Sequence, residues 1–212
     1  WLIENDKYYN FCISYKDYET YKRDGANVDK LLVCPNGAQH RDYHFTEKPL
    51  KPSWTLYLGR IEPRKRQYLY QDIYGVEFVG KYTDTTSFDR NRDCYLGQWE
   101  HEYKLQHVTD YGNMMLLSDG ENGTPLVIKE ALVAGLGVVV SKYAAHDLDT
   151  SLPFVTVIPD DKWEDIEYVQ EKLIENRKIS VTMRKEIRQY GVDNFSWQKL
   201  VKTYVENIEG ME

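Results

Sequence analysis

Short apolar runs recur along the chain without the strict alternation of a half-exposed sheet. Runs at 54–58, 76–79, 95–98, 114–117, 138–141 and 154–158 predict strands. Helical spacing between and after them predicts helices over about 65–72, 101–111, 125–134, 162–176, 180–190 and 196–208. Glycine punctuates the pattern: Gly59 and Gly80 follow strands, and Gly135-Leu136-Gly137 breaks the 125–134 helix. Apolar strands alternating with helices indicate a parallel sheet buried on both faces. The expected fold class is therefore α/β, a Rossmann-like parallel sheet with helices on both faces and extra helices at the carboxyl end. In such a sheet ligands lie beyond the carboxyl ends of the strands, so candidate sites belong just after a strand.

The first fifty residues read differently. A strand at 9–14 leads into a Tyr/Lys/Glu-rich helix at 15–24, which Gly25 is placed to end. A second strand at 30–34 runs into Pro35-Asn36-Gly37, a turn signal. Residues 40–53 are polar, carry Pro49 and Pro52, and read as a linker at a domain boundary, with a polar loop expected again at 81–93.

Bulk properties narrow the function. The 212 residues are 42% hydrophobic and 29% charged, enough for a substantial core. A net charge of −7 argues against a general nucleic-acid surface, which needs a cationic field. Cys12, Cys34 and Cys94 form neither a disulfide framework nor a zinc pattern. Of Cys34, His40 and His44, only the two histidines have ligand-like spacing, and polar loop residues are the better reading. The longest apolar run, 131–140, contains two glycines and falls short of the ~20 residues that span a bilayer. With no signal peptide visible, the expected compartment is a reducing cytoplasm. The chain begins at Trp1 rather than Met, which suggests an excised fragment.

Two segments after predicted strands can carry chemistry. The first, Gly59-Arg60-Ile61-Glu62-Pro63-Arg64-Lys65-Arg66, has four cations among eight residues of a net acidic chain. Backbone amides and the dipole of a following helix favour an anion there, and Arg and Lys would complete a diphosphate clamp. The competing reading is a solvated basic turn. The second, Ser118-Asp119-Gly120-Glu121-Asn122-Gly123-Thr124-Pro125, leads into the helix bearing Glu130. Thr124 or Asn122 is placed to cap that helix, Pro125 suits its first turn, and Gly120 and Gly123 permit close backbone approach to a ligand. Glu130 is the only acid in that helix, near the face of Leu126 and Ala134, which read as core contacts. It is either an acceptor for sugar or ribose hydroxyls or a salt-bridged surface acid.

No Gly-x-Ser-x-Gly elbow, Gly-x-x-x-x-Gly-Lys phosphate loop or Gly-x-Gly-x-x-Gly fingerprint occurs, which argues against hydrolase, P-loop NTPase and common dehydrogenase. His101, His107 and His146 show no obvious carboxylate or cysteine partner.

Together the segments resemble the C-terminal domain of the retaining, group-1 (family four) glycosyltransferases of GT-B fold. The resemblance rests on Gly59-Arg60 with Lys65 five positions later, Met115-Leu116-Leu117-Ser118, the 119–125 loop, and Glu130-Ala131-Leu132-Val133-Ala134-Gly135. Pro35-Asn36-Gly37 is similar to the family's interdomain passage, Val79-Gly80 and Tyr95-Leu96-Gly97 to strand ends that line the nucleotide base, and Phe195-Ser196-Trp197 to the start of the terminal crossover helix. The match covers residues 9–208 in order.

The resemblance implies four parts: 1–37, the tail of an N-terminal domain and the passage; 38–53, a linker; 54–195, the nucleotide-sugar-binding domain; and 196–212, the crossover helix. It implies that Arg60 and Lys65 hold the donor diphosphate, that Glu130 holds the ribose, and that Gly59, Gly97 and the backbone of Gly123, Thr124, Pro125 and Leu126 line the donor. It further implies sugar transfer with retention and no metal or other cofactor, Arg60 and Lys65 stabilising the leaving group. An N-terminal acceptor-binding domain of the same protein, a glycan or lipid-linked acceptor, and a peripheral membrane location through that other half are the corresponding expectations. The family's paired glutamates, with seven residues between them, put the first at 122, where this chain has Asn122; either Glu121 serves, or Asn122 contacts the sugar as a neutral group. A nucleotide-sugar epimerase of the same fold and a noncatalytic donor-binding or assembly module are the alternatives.

Overall fold

A computed structural model describes residues 8–83 and 87–210. Residues 1–7 of the expected first part, 84–86 of the expected 81–93 loop, and 211–212 lie outside the described residues.

A five-stranded, wholly parallel sheet carries the core: β3 (Lys51–Leu58), β4 (Val76–Val79), β5 (Tyr111–Leu116), β6 (Gly137–Ser141) and β7 (Val155–Ile158), in the order β4-β3-β5-β6-β7. Every residue of β4, β5 and β6 is buried, as a sheet covered on both faces requires. Tyr95 makes a single parallel bridge to Phe78 outside β4, so the expected 95–98 strand is reduced to one bridged position. With that position included the order is the doubly wound one, and it reverses between β3 and β5.

Before the sheet stand β1 (Asn10–Cys12), α1 (Tyr15–Arg23) and β2 (Leu31–Val33); β1 and β2 pair in parallel as a separate two-stranded unit. The expected linker is irregular to residue 50, but β3 begins at Lys51 and includes Pro52, with a register shift before Thr55. After the sheet elements α2 (His101–His107) and α3 (Leu126–Val133), the chain closes with α4 (Ile166–Thr182), α5 (Arg184–Phe195) and α6 (Trp197–Glu209).

Four expectations are corrected. The 65–72 helix is replaced by two 3-10 turns, Pro63–Lys65 and Gln67–Leu69, because Arg66 between them adopts φ +56°. A left-handed residue ends an α-helix. The 101–111 helix stops at His107, a 3-10 turn follows at Val108–Asp110, and β5 starts at Tyr111 instead of 114. The break expected at 177–179 is absent, since α4 runs through it. Its polar residues there face inward: Asn176 donates to Val138 O (3.2 Å), Phe154 O (3.1 Å) and Thr156 Oγ1 (3.0 Å), and Arg177 donates to the carbonyls of Ser53 and Gly75. Finally, Leu126 is 44% exposed, so it is no core contact, whereas Ala134 is fully buried.

α6 returns beside the passage: Trp197 N donates to Ala38 O (3.2 Å), Ala38 N to Phe195 O (2.7 Å), and the Tyr204 hydroxyl to Pro35 O. Among the described residues no helix is long and apolar enough to cross a membrane.

Candidate functional site

The strand order reverses between β3 and β5, and the basic and acidic candidate segments follow the carboxyl ends of these two neighbouring strands, where such a sheet leaves its ligand crevice. Tyr57, fully buried in β3, joins them. Its hydroxyl donates to Lys65 O and accepts from Leu117 N (3.1 Å), fixing the end of the 59–65 turn to the start of the 117–125 loop. Asp119 N donates to Arg64 O (2.8 Å), a second main-chain tie between them.

A charge cluster forms where they meet. Lys65 Nζ and Arg64 Nη1 each lie 3.1 Å from Glu121 Oε1, Arg64 Nε is 2.8 Å from Glu62 Oε1, and Arg66 Nη2 is 3.4 Å from Asp119 Oδ2. Lys16 of α1 donates to Glu121 O (3.1 Å), bringing the amino-terminal unit to the same loop. Burial pushes the Glu121 carboxyl upward, but the Lys65 and Arg64 charges outweigh it, so the group titrates below its ordinary value. Arg60 makes no ion pair among the described residues and its side chain is exposed. Its carbonyl is held by Gln67 Nε2 at 2.9 Å.

Glycines set how closely these segments approach. A Cβ on Gly80 would stand 1.9 Å from Gly59 O, and Gly80 has φ +153°, so neither the space nor the backbone admits a side chain. Gly80 N donates to Gly97 O (2.9 Å), which gathers Gly59, Gly80 and Gly97 at one end of the sheet. At Gly123, φ +118°, a Cβ would meet Ser14 Cβ at 2.7 Å. Its close approach is thus to the amino-terminal unit.

The start of α3 faces the crevice uncapped. Neither Asn122 nor Thr124 caps it as expected: the N-cap is Pro125, without a side-chain bond. Thr124 instead exchanges bonds with Asp147, Thr124 N to Oδ2 and Asp147 N to Thr124 Oγ1, both 3.1 Å. The first amides of this eight-residue helix are left for an anion or a sugar oxygen. Glu121, Asn122, Gly123, Thr124, Pro125 and Leu126 line one cavity of about 230 Å³, together with Lys129.

Glu130 is not in that lining. It is 7% exposed; Oε1 accepts from Lys104 Nζ of α2 at 2.8 Å, and Oε2 is buried. Tyr43 is its neighbour, its hydroxyl pushed far up by burial, by the Glu130 charge and by a hydrogen bond to that carboxylate.

Several residues escaped sequence reading. Lys129, 2% exposed and donating to Asn36 O (3.0 Å), holds the passage against α3. A lysine inside an apolar helix was a visible signal. The contributions of Lys16 and Tyr57 had no local signal, because their partners are distant in sequence. His107 does have a partner: Nδ1 lies 2.8 Å from Asp110 Oδ2, three residues on. No group of three or more potential metal ligands occurs among the described residues.

No family model matches the sequence, and no curated protein does. Solved structures do match in fold. Anabaena HepE in complex with UDP-glucose superposes with a TM-score of 0.71 at 14% identity, over 94% of this chain and 63% of that one. Sucrose-phosphate synthase from Thermosynechococcus elongatus gives 0.74 at 15% identity, over 99% and 59%. The lipopolysaccharide outer core galactosyltransferase WaaB in apo form gives 0.70 at 16%, over 96% and 62%. The chain spans less than two thirds of each of these structures, and at these identities the likeness shows the fold, the Rossmann-like architecture of GT-B glycosyltransferases.

Proposed function

We propose that this chain is the donor-binding half of a glycosyltransferase, taking a nucleoside-diphosphate sugar and serving its retaining transfer to an acceptor hydroxyl. One observation carries the reading: the cationic 59–66 turn and the uncapped start of α3 meet at the switch point of the sheet, tied by Tyr57. That is where a doubly wound sheet binds its ligand. The fold likeness to proteins solved with UDP-glucose and UDP supports it.

In this reading Arg60 and Lys65 hold the diphosphate. As the bond to the anomeric carbon breaks, negative charge grows on the departing phosphate. Arg60, Lys65 and the Leu126 and Val127 amides stabilise it without a metal. Arg60 reaches the ligand directly, while Lys65 turns to it from Glu121. Gly97, open where a Cβ would stand, leaves room for the nucleotide beside Gly59, and Glu130 accepts from a ribose hydroxyl. Asn122 or Glu121 contacts the transferred sugar through the cavity they share with Gly123, Thr124 and Pro125.

The division into parts follows the same reading. Residues 8–37 are the end of an acceptor-binding domain and the passage, and α6 crosses back beside it. A glycan or lipid-linked acceptor and a cytoplasmic site of action, peripheral to a membrane through the other half, complete the proposal.

A second reading has its own observation. Glu121 is held by Lys65 and Arg64, and position 122 is Asn, so no free carboxylate faces the sugar cavity. A noncatalytic donor-binding module accounts for that equally. Thermal-shift screening of UDP-, GDP- and ADP-sugars tests the binding common to both readings, and sugar transfer by the complete two-domain protein separates them.

A further inference from the structure

Away from the crevice lies a cavity of about 490 Å³, within the range of roughly 300–1,000 Å³ typical of small-ligand sites. Its floor is set by Lys51 and Tyr111, the first residues of β3 and β5, at the amino ends of the strands. The six residues of β5, at about 3.3 Å each, put roughly 20 Å between this floor and the donor loops.

One wall is an aromatic ladder. Trp99, Tyr103 and His107 stand four residues apart along α2 and its lead-in, the spacing that stacks side chains on one helix face. Trp99 and Tyr103 meet edge to face at 5.2 Å, Tyr103 and His107 lie 4.0 Å apart, and Trp99 is 6.2 Å from Tyr111. Tyr103 remains 50% exposed, an apolar surface that water covers at a cost.

The polar groups are paired within the wall and floor. Lys51 Nζ lies 2.6 Å from Glu77 Oε2, which also accepts from the Tyr111 hydroxyl, and His107 pairs with Asp110. Lys51 balances Glu77, while Asp110 and the exposed Glu100 leave carboxylate acceptors at the cavity, so it does not favour an anionic ligand. Gln98 and Glu100 stand exposed at the rim and offer hydroxyl partners.

Exposed ring faces, fixed polar groups and carboxylate acceptors fit a molecule with an apolar C–H face and a rim of hydroxyls that can donate to them. We propose that this cavity is a binding site for a neutral saccharide unit, separate from the donor crevice. The sugar's C–H face stacks on Trp99 and Tyr103, whose ring faces carry negative potential. Its hydroxyls exchange bonds with Asp110, Lys51 and the rim. Such a site would anchor a glycan, and it stands independently of the donor-binding reading.

The test is calorimetric titration of the full chain with maltohexaose, cellohexaose and chitohexaose, with and without saturating UDP. Binding of at least one, weakened about tenfold in Trp99→Ala and largely retained in Trp99→Phe, is the expected result. Tyr103→Ala, an exposed position whose loss leaves the core intact, is expected to weaken binding as well. Three results overturn the proposal: no binding of any of the three, full binding by Trp99→Ala and Tyr103→Ala with native circular dichroism, or displacement of the saccharide by UDP. The last would place it in the donor crevice.

Discussion

Lys65 Nζ lies 3.1 Å from Glu121 Oε1 across the gap between the carboxyl ends of β3 and β5, and both side chains are mostly buried. The pair closes the switch point of the sheet with opposite charges drawn from two loops 56 residues apart. Replacing one partner leaves the other charged and poorly solvated, so this contact links stability to the proposed site.

The pH dependence follows from the Glu121 carboxyl, whose folded value lies below its ordinary one. Its stabilising effect is complete above the ordinary carboxylate range and is lost as pH falls through the lower folded value. Glu121→Gln is therefore expected to reduce stability at pH 7 by about 1.5 kcal/mol, the lower end for bonds between charged groups. Urea unfolding should show the gap between wild type and variant closing on acidification. A gap that widens toward acid would reverse the sign.

Tyr57→Phe removes only a hydroxyl, yet it orphans the Lys65 carbonyl and the Leu117 amide. A loss of about 1–3 kcal/mol is expected. Because the same hydroxyl joins the two loops, nucleotide affinity should fall with it. Thermal unfolding with and without UDP measures both.

Asn176 ties α4 to three acceptors of β6 and β7 and accepts from Asn113 Nδ2 at 3.0 Å; Thr55 Oγ1 in turn donates to Asn113 Oδ1 at 2.6 Å. Asn176→Leu fills the volume but leaves these groups unmatched, and is expected to cost about 3 kcal/mol. Urea midpoints give the value; a neutral substitution would show that the network is dispensable.

Gly80→Ala forces a Cβ onto the Gly59 carbonyl at 1.9 Å and a side chain onto φ +153°. The strain alone is of order 1–3 kcal/mol before the clash is relieved. The expected outcome is a lowered melting temperature and displacement of Gly59, read as lost nucleotide binding. Retained stability would mean that β3 and β4 end farther apart.

The parallel sheet was legible because its strands are mostly apolar and carry little alternation: Val76–Val79 was read to the residue despite the buried Glu77. Boundaries failed where polar residues are buried. Asn176 and Arg177 look like a helix end in sequence, but they bond to the strand carbonyls of Val138 and Ser53 and α4 continues through them. The expected helix after Gly59 failed because a left-handed Arg66 has no mark in composition. For the proposed site, charge contrast singled out the 59–66 turn, and Glu121 and Asn122 were chosen by position. That Lys65 and Arg64 both turn to Glu121 depends on the packing of Tyr57 between distant loops, which no local pattern encodes. Glu130 was singled out as the one acid of its helix, but its partner Lys104, 26 residues away on α2, left no local mark.

The central claim is an anion-binding donor site at the switch point, and Arg60 is its one exposed, unpaired cation among the described residues of the turn. The most direct measurement is the melting temperature of wild type and Arg60→Ala with a nucleoside-diphosphate sugar. At 100 times its dissociation constant a ligand stabilises by about 2.7 kcal/mol, worth roughly 5–10 °C in a chain of this size. Wild type is expected to shift by that amount with one of UDP-, GDP- or ADP-sugars, and Arg60→Ala to lose most of it while melting normally without ligand. No shift with any of them, or a full shift retained by Arg60→Ala, would contradict the account.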